Sequence, residues 1–203
     1  MQSAVLRVAG VDPGIRNVGV CRARLYKDPD CGECRLHVER LQTCDLRPSS
    51  PRAVCTELGS LTGQWFRAQE RGLAWYVEQN TMPSNPTNHV CSGLFAAAAA
   101  LDDEMRAVTC QARQRLMRRL AVKFGVDCTS RGYEANKRLA QELGSLLIGS
   151  RVTHHEADAL FVCLVGVLGD WCMRAPRVLL SSDVAPDVRQ TLTCSPSELA
   201  TLL

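Results

Sequence analysis

The chain has no hydrophobic run long enough to cross a bilayer. Its longest, residues 159–169, falls short of the about 20 apolar residues a membrane helix needs. Residues 1–10 hold no long apolar core of the secretory kind and run straight into a strand-like pattern, so the expected setting is intracellular and not secreted. The 11 cysteines are odd in number and do not all pair within one chain; they read as reduced thiols. A zinc pattern is missing too. Cys31-Gly32-Glu33-Cys34 is a single C-x-x-C in a turn, followed by Cys44 and Cys55, where a structural zinc needs about four ligands. The adjacent His154 and His155 do not form an H-E-x-x-H zinc motif. No internal repeat is visible.

What is present fits one globular domain. The 203 residues suffice for a real core, and a hydrophobic content of 46% argues against global disorder. Residues 1–174 read as that domain and residues 175–203, with three prolines, as a tail holding at most a short helix after Ser197. The net charge of +3 is mild but uneven: between Arg106 and Arg138 nine basic residues stand against two acidic ones, so the rest of the chain is net acidic. A basic stripe on an acidic protein is the footprint of a nucleic-acid surface, although a solvated helix face gives the same pattern.

Residues 4–11, 17–26 and 35–44 carry the apolar, alternating patterns of three strands, separated by turn formers at Asp12-Pro13-Gly14 and over 27–33. An amphipathic helix is expected from Pro51 through Val54, Leu58, Leu61 and Trp65, ended by Gly72. Residues 73–77 form a short buried strand. A helix follows with Val90, Leu94 and Leu101 on one face, then a strand over 104–110 and a basic, partly helical stretch over 111–124. Two more helices are expected over 133–148 and 155–172, the second apolar on nearly all faces and therefore buried. Three meander strands followed by alternating helix and strand give a mixed α/β domain, with three antiparallel and then parallel strands in a five-stranded sheet flanked by helices.

Four dispersed side chains carry the chemistry. Asp12 follows the first strand and Glu78 the fourth; if those strands are parallel neighbours, both carboxylates leave one edge of the sheet. His155 and Asp158, three apart at the head of the last helix, share a face. Such an oxygen-rich set suits Mg²⁺, and the imidazole inclines it toward Mn²⁺. Two ions can clamp a phosphodiester during hydrolysis. Each residue alone has an ordinary explanation: a turn aspartate, a loop acid, a helix cap. The ordered combination is more specific.

In Val11-Asp12-Pro13-Gly14-Ile15-Arg16-Asn17-Val18-Gly19, Val77-Glu78-Gln79 and His155-Glu156-Ala157-Asp158-Ala159-Leu160 the chain resembles the RuvC-type Holliday-junction resolvases of the RNase H and integrase superfamily. The resemblance spans roughly residues 6–171. It implies an RNase H-like fold, two Mg²⁺ ions per active site held by Asp12, Glu78, His155 and Asp158, and a homodimer that nicks a four-way DNA junction symmetrically. Many relatives carry aspartate where His155 stands, so His154 and Glu156 remain alternative ligands. Arg131-Gly132-Tyr133-Glu134-Ala135-Asn136-Lys137-Arg138 resembles the stretch of the resolvases of poxviruses and related large DNA viruses that supplies an active-site lysine. This implies that Lys137 meets the scissile phosphate, and that the protein works in the cytoplasm at a viral replication site or in the nucleus. The candidate DNA contacts are Arg16, Arg113, Arg115, Arg118, Arg119, Lys123, Arg131, Lys137 and Arg138. Rival readings are a nuclease of the same fold acting on flaps, other branched DNA or RNA–DNA hybrids, and a non-catalytic nucleic-acid- or nucleotide-binding relative. Actin and sugar kinases also begin with a strand and an Asp-x-Gly turn, but the second phosphate loop they require is not found here.

Overall fold

A computed structural model describes residues 4–14, 16–27, 33–45, 73–79, 87–88, 91–94, 104–172 and 178–192. The strands are β1 (Ala4–Asp12), β2 (Asn17–Lys27), β3 (Cys34–Asp45), β4 (Leu73–Gln79), β5 (Glu104–Thr109), β6 (Val178–Ser182) and β7 (Arg189–Leu192). The described helices are α1 (Cys110–Phe124), α2 (Tyr133–Ile148) and α3 (His154–Asp170). Residues 87–88 and 91–94 are also helical. The helix expected from Pro51 to Trp65, the Cys31 end of the C-x-x-C and Ser197 lie outside the described residues.

One seven-stranded sheet runs in the order β5-β4-β1-β2-β3-β6-β7. β1, β2 and β3 form the expected antiparallel meander, and β4 and β5 add in parallel beyond β1. The five expected strands are therefore present in the expected directions. Two further strands extend the sheet. Residues 178–192 belong to the segment read as a tail, yet β6 pairs in parallel with β3 and β7 returns antiparallel to it. Their runs of five and four residues are too short to carry a clear alternating signal against the nearby prolines. His37 ties β6 to the sheet: its Nδ1 lies 3.0 Å from Ser181 Oγ and its Nε2 2.9 Å from Asp183 Oδ1.

α3 is the axis of the core. Every residue from Ala157 to Leu168 is buried, as its all-round hydrophobicity requires. It lies unusually close to the sheet because two glycines clear its path. A Cβ on Gly10 of β1 would stand 2.3 Å from Ala159 O, and one on Gly19 of β2 would stand 2.0 Å from His155 O. Those are backbone atoms, so nothing nearby can yield. Gly19 pairs directly with Asp12 across the β1–β2 ladder. The same close approach that packs the core thus sets the first turn of α3 over the end of β1. Gly19→Ala is expected to lower stability by about 1–3 kcal/mol through overpacking and to push that turn outward. A thermal melt together with the position of the His155 ring resonances checks both effects.

The opposite sheet face is covered separately. Ala9, Val11, Val18, Val20, Trp75 and Val77 pack with Cys91 and Leu94 into a second core cluster. Residues 8–11 of β1 and 74–77 of β4 are buried on both faces, which fixes their register and hence the position of the acids at their ends.

Candidate active site

Asp12 is the last residue of β1, and Glu78 is the next-to-last of β4. The two strands pair in parallel, Val11 opposite Val77, so both carboxylates leave the sheet at one edge. α3 begins above that edge. Its start is fixed by a capping box: Thr153 Oγ accepts from the Glu156 amide at 3.2 Å, and Glu156 Oε2 accepts from the Thr153 amide at 2.7 Å. Thr153 also meets Thr43 of β3 at 2.8 Å, Oγ to Oγ. Glu156 is therefore occupied at the cap, and neither histidine performs the capping.

The first turn of α3 presents His155 and Asp158 to the acids. His155 Nδ1 lies 3.1 Å from Asp12 Oδ2. His154 stacks against His155, ring centroids 4.0 Å apart, and partial burial beside that ring and Lys137 holds its pKa below the usual imidazole value. Of the two histidines, His155 is the one bonded to an acid.

Asp12, Glu78, Lys137, His155 and Asp158 all line one cleft of about 400 Å³. They come from β1, β4, α2 and α3, and the sequence separation between the first and the last is the length of most of the domain. Lys137 Nζ sits 4.2 Å from the centroid of the Tyr133 ring one helical turn earlier. Tyr133 itself is 71% exposed on the rim.

Arg113 is the feature that sequence reasoning misplaced. It was expected on the DNA-facing surface, yet it is only 9% exposed and lies inside the acid cluster. Its Nη1 donates to Asp158 Oδ1 in a close ion pair. On the other side Nε stands 2.7 Å from Glu78 Oε2, and Nη2 donates to Glu78 Oε1 at 3.4 Å. The 2.7 Å contact is an ion pair without hydrogen-bond alignment; Glu78 Oε2 and Arg113 Nε are both buried with no aligned hydrogen bond. The signal was in the sequence: Arg113 falls in register with Ala112, Leu116, Met117, Leu120 and Ala121, the buried face of α1. Charge counting hid it.

The other basic candidates divide. Arg16, Arg115, Arg119, Lys123, Arg131 and Arg138 are exposed and Arg118 is half-buried. Lys123 donates to the Thr191 carbonyl at 2.8 Å, which ties α1 to β7. Arg106 pairs with Glu104 and, at 2.7 Å, with Asp170.

Burial dominates the electrostatics. It raises the carboxyl pKa of Glu78, with Asp12 adding to the rise and Arg113 opposing it. Asp158 is pushed up to about 7, by burial first and then by Asp12 and Glu78, against the pull of Arg113 and His155. Carboxylates so crowded favour a bound cation. Hard oxygen donors, an imidazole and a buried Glu78 oxygen lacking an aligned hydrogen bond suit Mg²⁺ or Mn²⁺ chemically. Their present grouping differs from a finished metal site. Among the described residues no three histidine, cysteine or acidic side chains gather closely enough for one ion. Asp12 is paired with His155, while Glu78 and Asp158 are both ion-paired with Arg113.

Structural comparison decides the architecture. The chain is similar to the Thermus thermophilus RuvC structure, with a TM-score of 0.50 at 14% identity over 78% of this chain and 92% of that one. The fold is RuvC-like. A second neighbour, T. thermophilus RuvC in complex with a Holliday junction substrate, gives a TM-score of 0.50 at 15% identity over 78% of this chain and 91% of that one. No protein-family model and no curated protein matches at sequence level. The RuvC-like likeness, at these identities, is one of fold. No helix among the described residues is long and apolar enough to cross a membrane.

Proposed function

We propose that the chain is a structure-selective DNA endonuclease that resolves four-way junctions by paired, symmetric nicks. One observation carries the reading: acids from β1, β4 and α3, with a histidine and a lysine, line a single cleft on a RuvC-like fold. The neighbour that holds a Holliday junction substrate supports the choice of branched DNA. Asp12, Glu78, Asp158 and His155 would hold the divalent metal, two Mg²⁺ ions or Mn²⁺ in their place. Bound there, the metal supplies a lowered pKa for the attacking water and charge stabilisation at the departing 3′ oxygen.

The chain's own residues do the rest. Lys137, which lines the same cleft from α2, offers a positive charge to the scissile phosphate. The His155–Asp12 bond orients the imidazole and the carboxylate of the donor set before substrate arrives. The exposed bases of α1 and the α1–α2 connection would contact phosphates and fix the register of the junction arms without reading sequence. A homodimer would place two such clefts about a twofold axis, matching the symmetry of the junction. The similarity of residues 131–138 to the viral resolvases favours a role in viral DNA processing.

The test is cleavage mapping on a mobile synthetic four-way junction, with Mg²⁺ and with EDTA. Paired nicks at symmetric positions in strands of like polarity, only with metal, are expected. An RNA–DNA hybrid or a flap cut faster than the junction would overturn the substrate assignment in favour of a general RNase H-like nuclease. No metal-dependent cleavage of any branched DNA would leave a binding protein.

A further inference from the structure

Arg113 does what a metal ion would do: it places a positive charge between the buried Asp158 of α3 and the half-buried Glu78 of β4. We propose that Arg113 is a placeholder cation, which positions Glu78 and Asp158 in the metal-free protein and competes directly with divalent metal for them. This inference rests on reading those acids as metal ligands.

Three observations carry it. Arg113 is 9% exposed and Asp158 8% exposed, two of the three buried polar or charged residues among those described, so the pair lies within the cleft wall and not on its rim. The guanidinium spans both acids at once, with Asp158 on Nη1 and Glu78 on Nε and Nη2. Finally, it is held incompletely: Nε and Glu78 Oε2 are 2.7 Å apart but misaligned, and its other hydrogen-bond contacts among the described residues are to the soft sulfurs of Met117, 3.6 Å from Nη1, and Cys110, 3.8 Å from Nη2. A divalent ion at Glu78 and Asp158 would therefore meet a resident charge of the same sign that is bound tightly enough to order the acids and loosely enough to leave. Arg113 lines the cleft, so its departing side chain has the cavity to enter. With Arg113 bridging them, Glu78 and Asp158 are held in place in the metal-free protein.

A positioning role without competition predicts the opposite sign on metal affinity, which makes the proposal testable. Mn²⁺ binding to the full chain, without DNA, is measured from the electron paramagnetic resonance signal of free Mn²⁺. Arg113→Met is expected to bind Mn²⁺ at least tenfold more tightly than the wild type, and Arg113→Lys within a few-fold of it. Arg113→Met binding Mn²⁺ no better, or more weakly, overturns the proposal. Arg113→Met that fails to fold turns the decision over to the wild-type chain. There the Arg113 Nε–Hε resonance, assigned by its loss in Arg113→Lys, is followed through a Mg²⁺ titration. It is expected to move by a large shift and lose its protection from exchange as Mg²⁺ binds. An unchanged resonance at saturating Mg²⁺, or no binding of either ion, overturns the proposal. None of these readouts needs cleavage. A chain that binds metal by displacing Arg113 yet cuts no junction would keep this inference and lose the junction assignment.

Discussion

Asp12→Asn is expected to reduce metal-dependent junction cleavage by about 10³-fold or more while leaving the fold intact. The size follows from what the charge supports. Metal stabilisation of a developing oxyanion is worth several kcal/mol, and each 1.36 kcal/mol is about a tenfold change in rate. Asparagine keeps the shape of aspartate and can still bond the imidazole of His155, which now stands 3.1 Å from Asp12 Oδ2. What it loses is the negative charge at the end of β1, where only neighbouring acids can make up the deficit. The same charge raises the carboxyl pKa of both Glu78 and Asp158, so its removal relieves repulsion in the cluster. Metal-free Asp12→Asn should accordingly melt no lower than the wild type. Single-turnover cleavage, junction binding in Ca²⁺ and a thermal melt separate the terms. Lost cleavage with retained binding and retained stability assigns Asp12 to the chemistry. Wild-type cleavage in the variant would remove it.

Much of the fold was legible because the sequence signals were long or doubly determined. The meander strands of nine to twelve residues are set by alternation and by the turn chemistry at Asp12-Pro13-Gly14. α2 and α3 are set by apolar periodicity, while the Thr153–Glu156 capping box that fixes where α3 starts went unread in the sequence. Placing Asp12 beside Glu78 required only that β1 and β4 be parallel neighbours, which alternating helix and strand after a meander makes natural. The C-terminal strands were not legible. β6 pairs with β3, about 140 residues earlier, and nothing local in a five-residue strand encodes so distant a partner. Arg113 was misread for a different reason. Summing charges over residues 106–138 treats every base as solvent-facing, while the 3.6-residue period of α1 turns Arg113 inward with Leu116 and Met117. Pattern and composition disagreed at that position, and the disagreement marked the site.

In EDTA the wild-type protein is expected to lose stability as pH rises from about 5 to 8, and Asp158→Asn is expected to lose much less. The sign follows from proton linkage. Asp158 in the folded chain is pushed up to about 7 from an ordinary carboxyl value near 4, and burial raises Glu78 in the same direction. Between those values the folded state holds protons that the unfolded state has released, so stability is full at low pH and drains away as pH climbs through the folded pKa. The two raised carboxyls make the loss on the order of a few kcal/mol. His154 works against it: partial burial beside His155 holds its pKa below the ordinary value, so its neutral form favours folding as pH rises. That opposing effect is smaller, because His154 is only partly buried and solvent screens it, whereas Asp158 is buried. Asp158→Asn removes the largest contributor and leaves Arg113 paired with Glu78. Mg²⁺ should restore the wild-type loss most strongly at the alkaline end, where the acids are charged and proton competition ends, and should restore Asp158→Asn far less. Chemical denaturation at several pH values, with EDTA or Mg²⁺, measures all four curves. A wild-type profile in EDTA that is flat or rising between pH 5 and 8 would mean that Arg113 already neutralises the cluster fully, leaving divalent metal little to gain there.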